Sequence, residues 1–325
     1  MDLRFVTSTA PDSLAAELRT PPRAVAPATE ALPPVEIVDD YPSIRETIVE
    51  TFRSRHLFWQ IGSSTILGYF TRYRLGPFWL FFQVFMSVAG YSVIFGGGIF
   101  NVKAPNGMPY FLFMMVGMMG WQLFNTTLMI SARSFLRLKS MIKDIHFPLV
   151  VVPIAGSAQA LMRFFILFAG YVGAVIWFWV SDGKLYAQIQ PRYLFLSALG
   201  LVLCVALAWG VSLWTAPLTV HTRDTRFVIR YMLPFLMFVT PVFYPIEKLH
   251  GKTRLIAELN PLSSPVEMAK VGLLGAGSVR PFAAIWSIVT ISLVFASGIW
   301  FLNRFGPRVV GLRDAADEDE DELLL

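Results

Sequence analysis

Long charge-free apolar runs alternate along this chain with short segments in which apolar and polar residues recur at helical spacing. Residues 1–40 fit neither pattern. Their prolines (among them Pro21, Pro22, Pro27, Pro33 and Pro34) and their lack of an apolar period predict a disordered cytoplasmic tail. In residues 41–77 the pattern changes. Ile44, Ile48 and Phe52 repeat every four residues, Leu57 and Ile61 continue the stripe, and Arg45, Glu46, Glu50 and Arg53 take the other side. This predicts an amphipathic helix over 43–60 lying along a bilayer surface. A soluble core helix has the same period, but the apolar run that follows favours the interface.

The first charge-free run, Leu75–Val102, predicts a span over Phe78–Phe100, and the second, Ala104–Ala132, predicts one over Pro109–Ile130. Ser134–His146 is short and amphipathic. The third run, Leu149–Val180, carries a single charge, Arg163, and at about 1.5 Å per residue it exceeds a hydrocarbon core of roughly 30 Å. A start in the interface or a tilt would absorb the excess. Tyr193–Val220 is the fourth run and Pro281–Asn303 the sixth. The fifth, Tyr231–Ile246, is short and broken by Pro234, Pro241 and Pro245. After it, Asn260–Gly277 sets Val266, Ala269, Leu273 and Leu274 on one side and Glu267 and Lys270 off it. A short span followed by re-entrant half-helices accommodates both, because irregular backbone at membrane depth survives only where protein or water shields it. A plain span with an external loop is the simpler alternative. The expected fold is an all-α polytopic membrane protein with six spans over residues 78–303, followed by an acidic tail over 304–325.

Composition supports this picture. Of 325 residues 55% are hydrophobic and 15% charged, against roughly 25% charged in a soluble domain; the mean hydropathy is +0.57. The net charge of +5 would suit a nucleic-acid partner, but the basic residues border the apolar runs, and none is expected. With both termini inside, Lys and Arg concentrate in residues 1–77, the second-to-third loop, the fourth-to-fifth loop and the C-terminal tail, as the positive-inside bias requires. The segment 247–280 is the exception. Residues 1–40 lack the apolar core of a secretory signal, so insertion is expected to begin with the first span.

Little chemistry is legible. The lone cysteine, Cys204, lies in an apolar run and excludes a disulfide framework. The four histidines (His56, His146, His221, His250) are scattered outside the spans, and no metal site is expected. There is no GxxxxGK[ST] phosphate loop, HExxH or GxSxG. A carboxylate-dependent membrane enzyme would need a partner for Asp182 or Glu258, and the sequence supplies none. A secondary transporter would show inverted repeats and buried ionisable residues, and here Arg163 alone qualifies.

Several short motifs then fall in a familiar order: Tyr73-Arg74-Leu75-Gly76-Pro77-Phe78-Trp79 before the first span, Gly117-x-x-Gly120-Trp121 with Phe124 in the second, Lys143-Asp144-Ile145-His146-Phe147-Pro148 and Pro153, Arg223-Asp224, Thr240-Pro241-Val242-Phe243-Tyr244-Pro245, and Asn260-Pro261. Over residues 45–305 this order resembles the permease subunit of ABC polysaccharide exporters, the type-two exporters of O-antigen, lipopolysaccharide, capsule, galactan or teichoic acid. The resemblance implies a homodimer in a bacterial inner membrane, bound to two copies of a separate ATPase that holds ATP and Mg. The substrate would be an undecaprenyl- or similar lipid-linked polysaccharide. The segment 135–146, with Phe135, Leu138, Met141, Ile142, Asp144 and His146, would be the helix that couples to the ATPase. The helix at 43–60, with Ile48, Phe52 and Arg55, would be a gate element. Pro241, Tyr244 and Pro245 would belong to the outer gate. A type-two permease for a drug or a lipid is the alternative.

A glycan path should offer aromatic faces and polar edges. Phe82, Phe85, Tyr91, Trp121, Phe124, Asn125 and Thr126 could supply them, although lipid-facing aromatics would look the same. A charge at the depth of Arg163 costs about 2.5–3.5 kcal/mol on insertion scales. It is expected to face the path or an anionic carrier group, or else to snorkel to the interface.

Overall fold

The computed structural model describes residues 44–72, 76–137, 149–188, 190–222 and 224–322, which lie in the unit Tyr41–Leu325. Among them there is no strand. The tail expected over 1–40 lies outside the described residues.

The amphipathic entry forms two helices, α1 (Ile44–Arg53) and α2 (Arg55–Arg72), which meet at Ser54. α1 is tied to the C-terminal helix where Asn303 Nδ2 donates to the buried Thr47 hydroxyl at 2.7 Å. The first apolar run gives α3 (Gly76–Ser92), which opens into a π-helical turn over Val93–Gly97 and ends before the expected Phe100. The glycines at 96–98 do not hold a regular helix. α4 (Tyr110–Ser131) follows the second run and is largely enclosed; Leu112–Met119 is buried throughout. Four of those residues are methionines, whose unbranched side chains fill irregular gaps. The short α5 (Ser134–Arg137) follows directly.

The third run is broken, which resolves its excess length. α6 (Val151–Ala155) and α7 (Ala158–Asp182) are separated by a turn at Gly156 and Ser157. The Ser131 hydroxyl donates to the Pro153 carbonyl at this break. α8 (Pro191–His221) is followed by α9 (Asp224–Val239), which lies seven residues N-terminal of the expected fifth span. Thr240–Pro245 is therefore irregular chain, and α9 begins with the charged residues assigned above to a loop. Two short helices come next, α10 (Gly251–Leu259) and α11 (Ser263–Leu274). The last helix, α12 (Pro281–Glu322), runs nineteen residues past the expected end of the sixth span.

α8 is the hub, packed against α12, α11 and α4, while α4 also meets α7 and α3. Glycine permits the closest of these contacts. A Cβ on Gly200 or Gly272 would lie 2.4 Å from the carbonyl oxygen of Pro265 or Tyr193, so α8 and α11 meet backbone to backbone. Around this core the outward surfaces are apolar. Phe78 and Phe82 on α3, Trp177 and Val180 on α7, and Phe282 and Leu293 on α12 are exposed, on a scale that water does not tolerate. Three stretches are long and apolar enough to cross a bilayer: Val151–Asp182, Pro191–Val220 and Pro281–Gly306.

Candidate functional site

Two regions carry polar groups inside this apolar frame. The first is a cavity of about 310 Å³ walled by α3, α4 and α9. Helical period brings its residues together: Ser87 and Tyr91 are four apart on α3, as are Trp121 and Asn125 on α4, with Gln122 beside them. α9 contributes Arg230, Leu233, Pro234 and Met237. Pro234 has no N–H to give the Arg230 carbonyl one turn earlier, so a further polar group sits on this stretch of α9. The wall thus combines two aromatic rings, two side-chain amides, two hydroxyls and one guanidinium.

The second region is the cap formed by Thr240–Pro245, α10 and α11. Lys270 and Glu267 are both fully enclosed there, with Nζ 3.1 Å from Oε1. Lys270 Nζ also donates to the Pro241 carbonyl and lies 4.0 Å from the centroid of the Phe113 ring on α4. This corrects the expectation that Glu267 and Lys270 lie on a polar side of the segment. Nearly all of α11 is buried, and a charged pair is tolerated there because each member neutralises the other. The surrounding chain is stitched by further bonds. Asn260 Nδ2 donates to Thr240 Oγ1 at 2.9 Å, and Asn260 Oδ1 accepts from the Leu262 amide at 3.0 Å. The Tyr110 hydroxyl donates to the Phe243 carbonyl at 2.6 Å, and the Tyr244 hydroxyl reaches the Phe238 and Val239 carbonyls that end α9. Glu258 bridges Arg254 at 2.8 Å and Arg280 at 3.4 Å. An orphaned carbonyl in an apolar setting costs several kcal/mol, and Lys270 and Tyr110 satisfy the Pro241 and Phe243 carbonyls of this irregular stretch.

Residues 56–274 match the family model of the ABC-2 type transporter. The chain belongs to this family. Curated relatives of this ABC-2 permease include an O-antigen export system permease protein RfbA of Myxococcus xanthus, 23% identical over 198 residues, or 59% of this chain and 72% of that one. Two proteins of the same description from Klebsiella pneumoniae are 24% and 23% identical over 177 residues, 52% of this chain. The match spans 61% of the length of each Klebsiella protein.

Within the ABC-2 permease, Tyr91, Trp121 and Asn125 of the expected path meet at the polar cavity. Phe124 is buried in the core instead, 2% exposed. Phe85 lines a separate apolar cavity of about 610 Å³ with Phe81, Phe111, Gly170 and Trp177. Arg163 is half-buried on α7 and lines neither cavity. Of the residues expected at an outer gate, Pro241 and Pro245 are buried in the cap, and Tyr244 closes the end of α9.

Phe135, expected as a knob for a partner's groove, is 2% exposed and packs with Val150, Val152, Leu213 and Leu302 of its own chain. An apolar ring next to so large an apolar core is buried there first, and it anchors the base of the segment. Leu138, Met141, Ile142, Asp144 and His146 lie outside the described residues. So do the side chains of Ile48, Phe52 and Arg55, whose helices are described. Sequence reading missed Gln122, Arg230, Glu267 and Lys270. The i,i+3 spacing of Glu267 and Lys270 inside an otherwise apolar segment was the available signal for the pair.

Proposed function

We propose that this ABC-2 permease is the membrane-spanning subunit of an exporter that moves a lipid-linked cell-surface polysaccharide across the bacterial inner membrane. Two copies form the path, and a separate ATPase, also in two copies, supplies the energy and holds ATP and Mg. Each copy crosses the bilayer six times with both termini cytoplasmic. α3, α4 and α9 join the three long apolar stretches as spans, and α10 and α11 re-enter from the outer side. The observation that carries the reading is the polar cavity, where Tyr91 offers a face for a sugar ring, Gln122 and Asn125 offer edges that bond to hydroxyls, and the largely buried Trp121 backs the wall. The descriptions of the relatives as O-antigen export permeases point to the same substrate class.

The segment 135–146 receives the push of the ATPase, α1 and the first turns of α2 (to residue 60) act as the gate element, and the cap is the outer gate. Purified alone, the chain will hydrolyse no ATP, whereas with its partner ATPase hydrolysis will appear and surface glycan will depend on both. Hydrolysis by the chain alone, or normal surface glycan without it, would overturn the reading. The apolar 610 Å³ cavity at Phe85 favours a second reading, a permease for a lipid or drug. Export of a dye-labelled lipid with unchanged glycan would select it.

A further inference from the structure

α9 carries two arginines whose charge nothing among the described residues answers. Arg226 and Arg230 are four residues apart, which places them on one face about 6 Å apart along the axis. The buried Leu233 and Met237 continue that face, whereas helical period puts Asp224 on the opposite side. Arg230 forms part of the polar cavity beside Tyr91, Trp121, Gln122 and Asn125. Neither guanidinium makes a hydrogen bond or ion pair among the described residues, and the Nε of Arg226 is buried without an acceptor. The neighbouring helices bring no carboxylate. α3 and α4 carry no charged residue, and α8 carries only Arg192, at its far end. Arg230 is exposed along the cavity wall and Arg226 is half-buried, and guanidinium charges left without a counter-charge beside so apolar a surface draw an anion from elsewhere.

We propose that Arg230, with Arg226 one turn below, binds the phosphate-type anion that joins lipid to glycan in the transported substrate. This inference rests on the lipid-linked glycan reading and deepens it. The planar guanidinium fork pairs two phosphate oxygens at once, which an ammonium does not. With the anion held there, the first sugar stacks on Tyr91 and bonds to Gln122 and Asn125, and the polyprenyl chain leaves toward the apolar surface of α9. Phe227, Val228, Tyr231 and Phe235 form that exposed surface. The headgroup of an anionic membrane phospholipid offers the same chemistry, and the experiment separates the two sources.

The full chain is placed in nanodiscs of phosphatidylcholine and titrated with a polyprenyl diphosphate or, separately, with phosphatidylglycerol, binding being read by thermophoresis. Wild type will bind the diphosphate, Arg230→Gln will bind it at least tenfold more weakly, and Arg226→Gln will show a smaller loss. Arg230→Lys will recover part of the affinity, and Arg192→Gln will match wild type. A thermal melt of each variant separates lost binding from lost folding. Equal diphosphate affinity in Arg230→Gln and wild type overturns the inference and leaves the substrate reading standing. Phosphatidylglycerol binding as tightly as the diphosphate, with both lost in Arg230→Gln, assigns the site to membrane lipid and overturns it as well. Wild type binding no polyprenyl diphosphate removes both the inference and the reading beneath it.

Discussion

Replacing Lys270 with methionine keeps most of its volume but removes the charge that Glu267 faces. Both residues are at most 1% exposed, and Nζ also serves the Pro241 carbonyl and the Phe113 ring. The Glu267 carboxylate then has two options. It can stay charged, and breaking a buried pair in that way costs about 3–5 kcal/mol. Otherwise it takes up a proton, which from an ordinary carboxylate pKa of about 4.3 costs about 4 kcal/mol at pH 7 and about 1 kcal/mol at pH 5. The cheaper route wins at each pH, so the deficit of Lys270→Met grows as pH rises above the ordinary carboxylate range. The lost bond to Pro241 adds about 1 kcal/mol at any pH.

Glu267→Gln has the opposite sign. Keeping the buried amine neutral costs about 5 kcal/mol at pH 7 and about 2 kcal/mol at pH 9, so its deficit shrinks as pH rises. The double variant buries no charge and should melt close to wild type, as exchanged buried pairs often do. Intrinsic-fluorescence melting in detergent at pH 5, 7 and 9 measures all three. Deficits that ignore pH, or a double variant no better than the worse single one, would refute the reasoning.

Gly272→Ala should lower the melting temperature sharply, because its Cβ would lie 2.4 Å from the Tyr193 carbonyl and 2.6 Å from the Ser197 amide nitrogen; Gly173→Ala, with nothing within 4 Å, should not. Equal effects would refute the close packing of α8 on α11. Asn260→Ala strips two bonds from the cap and should cost about 1–3 kcal/mol in a denaturation titration; an unchanged midpoint would contradict that role. Asn125→Ala removes an amide edge from a half-buried site in the cavity wall. It should reduce surface glycan while shifting stability by less than about 1 kcal/mol, and undiminished glycan would remove Asn125 from the path.

The long helices were legible because apolar runs have one stable use. Val151–Asp182, Pro191–Val220 and Pro281–Gly306 follow the third, fourth and sixth runs closely. Composition alone could not place the breaks. The turn at Gly156 and Ser157 depends on Ser131, twenty-two residues from Pro153 in sequence, and no local window registers such a contact. α9 was misplaced because Asp224, Arg226 and Arg230 read as loop charges, although a helix can carry arginines to a cavity. The burial of Glu267 and Lys270 needed the third dimension, since the carbonyl and ring that complete the site, at Pro241 and Phe113, come from two other segments. Tyr91, Trp121 and Asn125 were found by chemical type, and their meeting follows from the packing of α3 on α4. Phe124, chosen on the same grounds, faces the core.

The central claim is that force enters this permease from the cytoplasm through the segment that follows α5. It is tested most directly by Ser140→Cys in a chain whose buried native thiol has been removed as Cys204→Ala. A membrane-impermeant maleimide should fail to label intact cells and should label inverted membrane vesicles, with protection when the ATPase is bound. Labelling of Ser140→Cys from outside intact cells would contradict the account.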